Sequence, residues 1–237
     1  MKYIQKSKEP ENFNEWKRVK SADITRLSRA GNMDNVFGLL QNQPRQETGV
    51  AELDPYTKTQ LREDLLHEQG FLCAYCTQRI ENNHRTKIDH FQPKENQQYH
   101  HLVFEYSNLL ACCDGGERDK SRPRELYCDT KKASKDPTQP DRLVSPLDAH
   151  CADHFLYDEF GIIKPAQEGS MAEKTIHFYG LNSKALTVLR KAAIDAFITE
   201  VWPELETDAA ISQLGQKVNN RYSPFCTAII SVLNNYA

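Results

Sequence analysis

Five of the chain's seven cysteines fall between positions 73 and 128: Cys73, Cys76, Cys112, Cys113 and Cys128. Cys73 and Cys76 bound a CAYC motif, and two thiolates on such a tight knuckle can both reach one Zn²⁺ at about 2.3 Å. Thioredoxin-type redox chemistry needs a strand before the motif and a helix starting at it. Here the helical pattern comes before the motif, and the TQRIE that follows reads as a turn or strand, so metal binding is the better reading. The segments YSNLLACCDG and CDTKK each supply a cysteine that can complete a four-thiolate zinc site. An odd cysteine count argues against a disulfide framework and for reduced thiols or metal ligands. Cys151 and Cys226 lie outside the cluster and read as buried small hydrophobes.

Between the cysteines stands IDHFQP, residues 88–93. Asp89 and His90, adjacent in a strand, point to opposite faces, and Pro93 ends the strand. A histidine that titrates between pH 5 and 8 suits the removal of a proton from water. A neighbouring carboxylate suits a hard cation such as Mg²⁺. An Asp-His pair alone is a weak signal, for which a structural histidine is the better reading. The order CAYC, IDHFQP, YSNLLACCDG, CDTKK along one short stretch is far more specific than any of its members.

Taken together, these motifs resemble the zinc-knuckle HNH endonucleases, whose fold is the ββα-metal finger. With the MKYIQKSKEP start and the LNSKALTVLRKA segment, the closer resemblance is to PtuB-like HNH proteins of Septu and retron-associated anti-phage systems. The resemblance implies that His90 is the general base and that Asp89 helps to hold a catalytic Mg²⁺ or Mn²⁺. Asn108 matches the middle residue, which fixes the base or touches the metal, and Asp129 takes the place of the third motif residue as a second metal carboxylate. Cys73, Cys76, Cys113 and Cys128 match the structural zinc knuckle. Two departures stand out. The last two ligands usually form a second CxxC, but fourteen residues separate Cys113 from Cys128, which leaves Cys112 as an alternative to Cys113. The third position is usually His or Asn rather than Asp. The resemblance also implies a nucleic-acid substrate (DNA or tRNA) and a partner, a PtuA-like ATPase of the ABC/SMC type that gates cleavage.

Composition bounds the reading. Over 237 residues, 39% are hydrophobic and 27% charged, enough apolar material for a core and against a wholly disordered chain. No stretch approaches the roughly 18 consecutive apolar residues of a transmembrane helix. The first twenty residues hold no apolar signal region, so a soluble cytoplasmic protein without a membrane role is expected. The formal net charge of -3 leaves nucleic-acid contact to a local patch. Residues 118–135 carry seven basic and three acidic residues, a net +4. Lys131, Lys132, Arg122 and Arg124 are the expected phosphate contacts. Two rivals are a zinc-stabilised adaptor with an inactive HNH core and a stand-alone restriction nuclease. Asp89, His90 and Asn108 standing together argue against the first.

The expected fold is α+β: a ββα-metal core with its zinc knuckle at residues 53–135, between an N-terminal helical arm (1–52) and a mostly helical C-terminal region (136–237). Asp54 as N-cap and Pro55 at the first helical position open a helix with Leu61, Leu65 and Leu66 on its apolar face and Gly70 as its stop. A short β-like stretch is expected at residues 155–163, with a turn at Gly161. Ser183 caps a helix whose apolar stripe is Leu186, Leu189, Ala193, Phe197 and Val201, and residues 225–233 form a terminal helix.

Overall fold

A computed structural model describes residues 1–31, 33–40, 56–118, 125–140, 142–202 and 205–235. The polar N-terminal zone forms α1 (Glu11–Val19), α2 (Ser21–Arg29) and α3 (Met33–Phe37), anchored by the buried Phe13, Trp16, Val36 and Phe37. The next helix, α4 (Lys58–Gln69), starts later than expected. Its N-cap is Thr57, whose hydroxyl accepts from the Gln60 backbone while the Gln60 side chain accepts from the Thr57 backbone. That reciprocal box needs Gln or Glu three residues after the cap. Gln60 satisfies it for Thr57, whereas Asp54 has Thr57 in that place; Asp54 and Pro55 themselves lie outside the described residues. Gly70 closes α4 at φ 61, a left-handed conformation that spares a Cβ penalty, and the chain turns directly into the cysteine knuckle.

Strands β1 (Thr86–His90) and β2 (Leu109–Cys113) pair antiparallel, with Lys87 opposite Cys112, Asp89 opposite Leu110 and His90 opposite Leu109. Directly opposed residues share a face, so Lys87, Asp89 and Cys112 lie on one side of the ladder and Cys113 on the other. The short helix α5 (Cys128–Lys132) packs against β2. Strands β3 (Phe155–Tyr157) and β4 (Ile163–Pro165) form the expected hairpin. They are followed by α6 (Met171–Tyr179), α7 (Lys184–Glu200), α8 (Thr207–Leu214) and α9 (Cys226–Leu233). The class is therefore α+β. One hydrophobic core runs through all three sequence zones, from Met1 and Phe13 through Leu61 and Leu109 to Tyr179 and Leu233.

The buried stripe of α7 is Leu186, Arg190, Ile194 and Phe197, whereas Leu189 is 48% exposed. The apolar pattern misplaces the stripe because a charged residue occupies it. The Arg190 guanidinium donates to the carbonyls of Leu181 (3.0 Å) and Gly161 and lies over the Tyr157 ring. Cys151 and Cys226 are buried, as expected of small hydrophobes. No helix among the described residues is long and apolar enough to cross a membrane.

Candidate metal centre and active-site cleft

Cys73, Cys76, Cys113 and Cys128 converge, all buried, with their sulfurs within 4.8 Å of one another. The Sγ separations are 3.7 Å for Cys73–Cys113, 3.9 Å for Cys73–Cys128 and 4.0 Å for Cys76–Cys113. A tetrahedral zinc with 2.3 Å bonds sets its sulfurs about 3.8 Å apart, so the quartet has the size of a Cys₄ zinc site. Local backbone explains the convergence. The Thr77 N–H closes the knuckle on the Cys73 carbonyl (3.1 Å), and the Cys113 N–H points at the Cys73 sulfur (3.4 Å). The fourteen-residue excursion leaves through Gly115, at φ 55, and returns against it at Tyr127, so closely that any Cβ on Gly115 would sit 1.9 Å from the Tyr127 carbonyl. Tyr127 N–H donates to the Gly115 carbonyl at 3.0 Å, which seats Cys128 beside Cys113 without a second CxxC.

Cys112 faces the other way. Its thiol lies with the carboxylates of Asp89 and Asp129, all three within 4.8 Å. Burial, aided by the charges of Asp129 and Asp89, pushes the Cys112 thiol well above its ordinary value. Burial and then the Asp89 charge push the Asp129 carboxyl up to about 7. Two carboxylates crowded together in this way form a donor set that suits a divalent cation.

A cleft of about 450 Å³ gathers Asp89, His90, Asp129 and Lys132 with Phe37, Lys87, Pro93 and Lys94. His90 ends β1, is 5% exposed, and has Nε2 3.0 Å from the Val103 carbonyl oxygen. A carbonyl only accepts, so Nε2 carries the proton and Nδ1 holds the lone pair. Phe37 packs edge-on against the imidazole, centroids 4.7 Å apart. Burial pulls the His90 pKa down to about 4, so the ring is neutral at pH 7 and able to accept a proton.

Asn108 spans the strand ends. Its Oδ1 accepts from Gln92 N–H at 2.8 Å, and its Nδ2 donates to the Gln92 carbonyl at 3.1 Å. The amide therefore staples the loop that leaves His90 and does not line the cleft. The basic residues are distributed otherwise than expected. Lys132 is 1% exposed, its ammonium donating to Asp89 Oδ1 (2.7 Å) and the His90 carbonyl (2.6 Å). It is thus withdrawn from the surface where a phosphate contact was expected, because a buried ammonium is retained only beside such partners. Lys131 points toward the C-cap of α6, against Gly180, away from the cleft. Arg122 and Arg124 lie outside the described residues.

Several residues that line the cleft or brace it from behind carry no sign of their role in the sequence. Tyr75, the third letter of CAYC, is buried and donates its hydroxyl to Asp89 Oδ2. Burial and the Asp89 charge keep the Tyr75 phenol far above its ordinary value and so protonated. Phe37 and Val103 come from distant, unremarkable segments. Lys87 and Lys94 flank the cleft, Lys87 paired with Glu117 (2.6 Å) and Lys94 with Asp34 (2.9 Å). Lys132 is placed by its spacing: it lies four residues after the ligand-type Cys128, at the far end of α5.

No family model matches the chain. A retron Ec83 protein of Escherichia coli, named as an HNH endonuclease, is 30% identical over 58% of this chain and 65% of its own length. The Septu protein PtuB of Bacillus mycoides strain KBAB4 is 28% identical over 54% of this chain and 49% of its own. The chain is similar to PtuB-like HNH proteins. It spans about half to just under two thirds of the length of these curated relatives. Asp89 and Cys112 stand on the face of the two-stranded ladder opposite Cys113, while His90, the last residue of β1, alternates to the Cys113 face and meets the cleft at the strand end, so a single short scaffold sets both sites.

Proposed function

We propose that this chain is a metal-dependent HNH endonuclease that hydrolyses phosphodiester bonds, with β1, β2 and α5 as its ββα-metal core. The observation that carries the proposal is the shared cleft, in which a neutral His90 with a free Nδ1 lone pair stands beside Asp89 and Asp129. A phosphodiester anion repels hydroxide, so its hydrolysis needs a cation and a positioned base. His90 Nδ1 takes the proton of the attacking water. The Val103 carbonyl then stabilises the imidazolium through Nε2–H, as an orienting acceptor does for any histidine base. Phe37 walls the ring and Asn108 holds the loop after it, so the imidazole has one orientation. Asp89 and Asp129 would hold Mg²⁺ or Mn²⁺, which when bound polarises the scissile phosphate and stabilises the leaving oxygen. Lys87 and Lys94, on the cleft rim, meet the flanking phosphates. Cys73, Cys76, Cys113 and Cys128 hold structural zinc, which supports strands of five residues too short to pack alone.

The names of the two relatives support a role in anti-phage defence; to this the reading adds, from the sequence resemblance alone, a PtuA-like ABC/SMC-type ATPase that gates the cut and the cytoplasm as the compartment. The arm at 1–52 and the region 136–237 frame the core at 53–135 and offer the docking surfaces. The test is cleavage of plasmid DNA and of bulk tRNA in Mg²⁺ or Mn²⁺, wild type against His90→Ala, with and without the product of any neighbouring ATPase gene. Cutting that depends on His90 establishes the nuclease, and the preferred substrate decides between DNA and RNA. Folded, zinc-loaded protein that cuts neither substrate under any of these conditions overturns it.

A further inference from the structure

Asp89 is gripped from both ends. Its carboxylate is 5% exposed, yet each oxygen has a buried donor: Lys132 Nζ at 2.7 Å on Oδ1 and the Tyr75 hydroxyl on Oδ2. Lys132 also donates to the backbone carbonyl of His90 at 2.6 Å, so one ammonium ties the side chain of Asp89 to the main chain of His90. Both donors lie within a few residues of cysteines of the quartet. Tyr75 lies between Cys73 and Cys76, and Lys132 lies one helical turn after Cys128. Tyr75 is further braced by Tyr179 of α6, the rings stacked at 4.1 Å.

We infer that Tyr75 and Lys132 are positioning residues that transmit the geometry of the cysteine quartet to the acidic end of the cleft. A carboxylate offers about four acceptor positions, and the two donors use two of them. Two remain for a divalent cation, in an orientation that Asp89 no longer chooses freely. The ammonium of Lys132 also has an electrostatic consequence, because it lowers the pull of the Asp89–Asp129 pair on any incoming cation. The cleft thereby gives up cation affinity in exchange for a fixed carboxylate. This inference rests on the nuclease reading only for its effect on cutting; its effect on cation binding stands apart from it.

The experiment uses full-length, zinc-loaded protein and the variants Tyr75→Phe and Lys132→Met. Zinc content, thermal melting, Mn²⁺ binding followed by electron paramagnetic resonance, and cleavage are measured on each. Both variants should retain zinc and cut about 10- to 100-fold more slowly, the usual cost of removing a partner of a metal ligand. Lys132→Met should at the same time bind Mn²⁺ several-fold more tightly than wild type, because a like charge beside the site is gone. A merely structural defect weakens binding and cutting together, so the opposite signs distinguish the two. Loss of Mn²⁺ affinity in a folded Lys132→Met overturns the inference. If Lys132→Met does not fold, Tyr75→Phe decides, since it keeps the ring and its stack on Tyr179. A zinc-loaded Tyr75→Phe that cuts at the wild-type rate overturns the inference. Wild type that binds Mn²⁺ and cuts nothing removes the nuclease reading, while the Mn²⁺ arm still tests the grip on Asp89.

Discussion

His90 donates its Nε2–H to the carbonyl of Val103 at 3.0 Å, thirteen residues along the chain. That single hydrogen bond selects the tautomer and leaves Nδ1 to accept a proton. His90→Ala should therefore reduce cutting by about 10²- to 10⁴-fold, the range of one general base. Zinc content should stay at the wild-type value by metal analysis, and calorimetry should still show one cooperative transition, lowered by the loss of a buried, hydrogen-bonded side chain.

The same histidine sets a pH dependence of stability. Its folded pKa of about 4 lies below the ordinary value of 6.5. Between those values the unfolded chain binds the proton and the folded chain does not, so stability falls as pH drops from 6.5 to 4 and levels off below. The loss approaches about 3 kcal/mol. Denaturant titrations at pH 7 and pH 4.5 should show wild type losing more stability than His90→Ala. Equal losses would mean that His90 is charged in its pocket.

The two adjacent cysteines should behave differently. Cys113→Ser breaks the quartet and should lose zinc and cooperative folding, as should Cys73→Ser. Cys112→Ser, on the opposite face of β2, should keep about one zinc per chain. Zinc analysis after dialysis decides, and zinc loss from Cys112→Ser alone would reverse the assignment.

Asn108→Ala removes both hydrogen bonds to Gln92 and leaves two polar backbone groups beneath the loop. It should destabilise the protein by about 1–3 kcal/mol. Cutting should slow through disorder of His90, with the Mn²⁺ requirement unchanged. A shifted Mn²⁺ requirement would place Asn108 on the metal.

Lys87 and Lys94 stand at the cleft, whereas Lys131 faces α6. Replacing Lys94 with Ala should weaken nucleic-acid binding and reduce the slope of log K against log salt by about 0.9 for each phosphate that is no longer neutralised. Lys131→Ala should leave the slope unchanged. Binding isotherms at several salt concentrations check both.

What the sequence determined alone is the set of candidate residues and the local breaks. Thiol pairs, the Asp-His dipeptide and Asn108 stand out as candidates by type and order. Gly70 stops α4, and the β3–β4 hairpin turns near Gly161, because those are properties of a residue and its immediate neighbours. Even the start of α4 is legible, since Thr57 and Gln60 form a capping box that Asp54 cannot make with Thr57. Tertiary structure decided what depends on which face meets which partner. Strand alternation puts Cys112 and Cys113 on opposite sides but does not say which side holds the knuckle; the pairing with β1 and the return of Tyr127 against Gly115 do. It likewise turned Lys132 from an expected surface cation into a buried one, and shifted the stripe of α7 onto Arg190. A charged side chain is buried only where distant acceptors already wait for it. Those acceptors, Asp89 and the His90 carbonyl for Lys132 and the Leu181 and Gly161 carbonyls for Arg190, are assembled only when the chain folds.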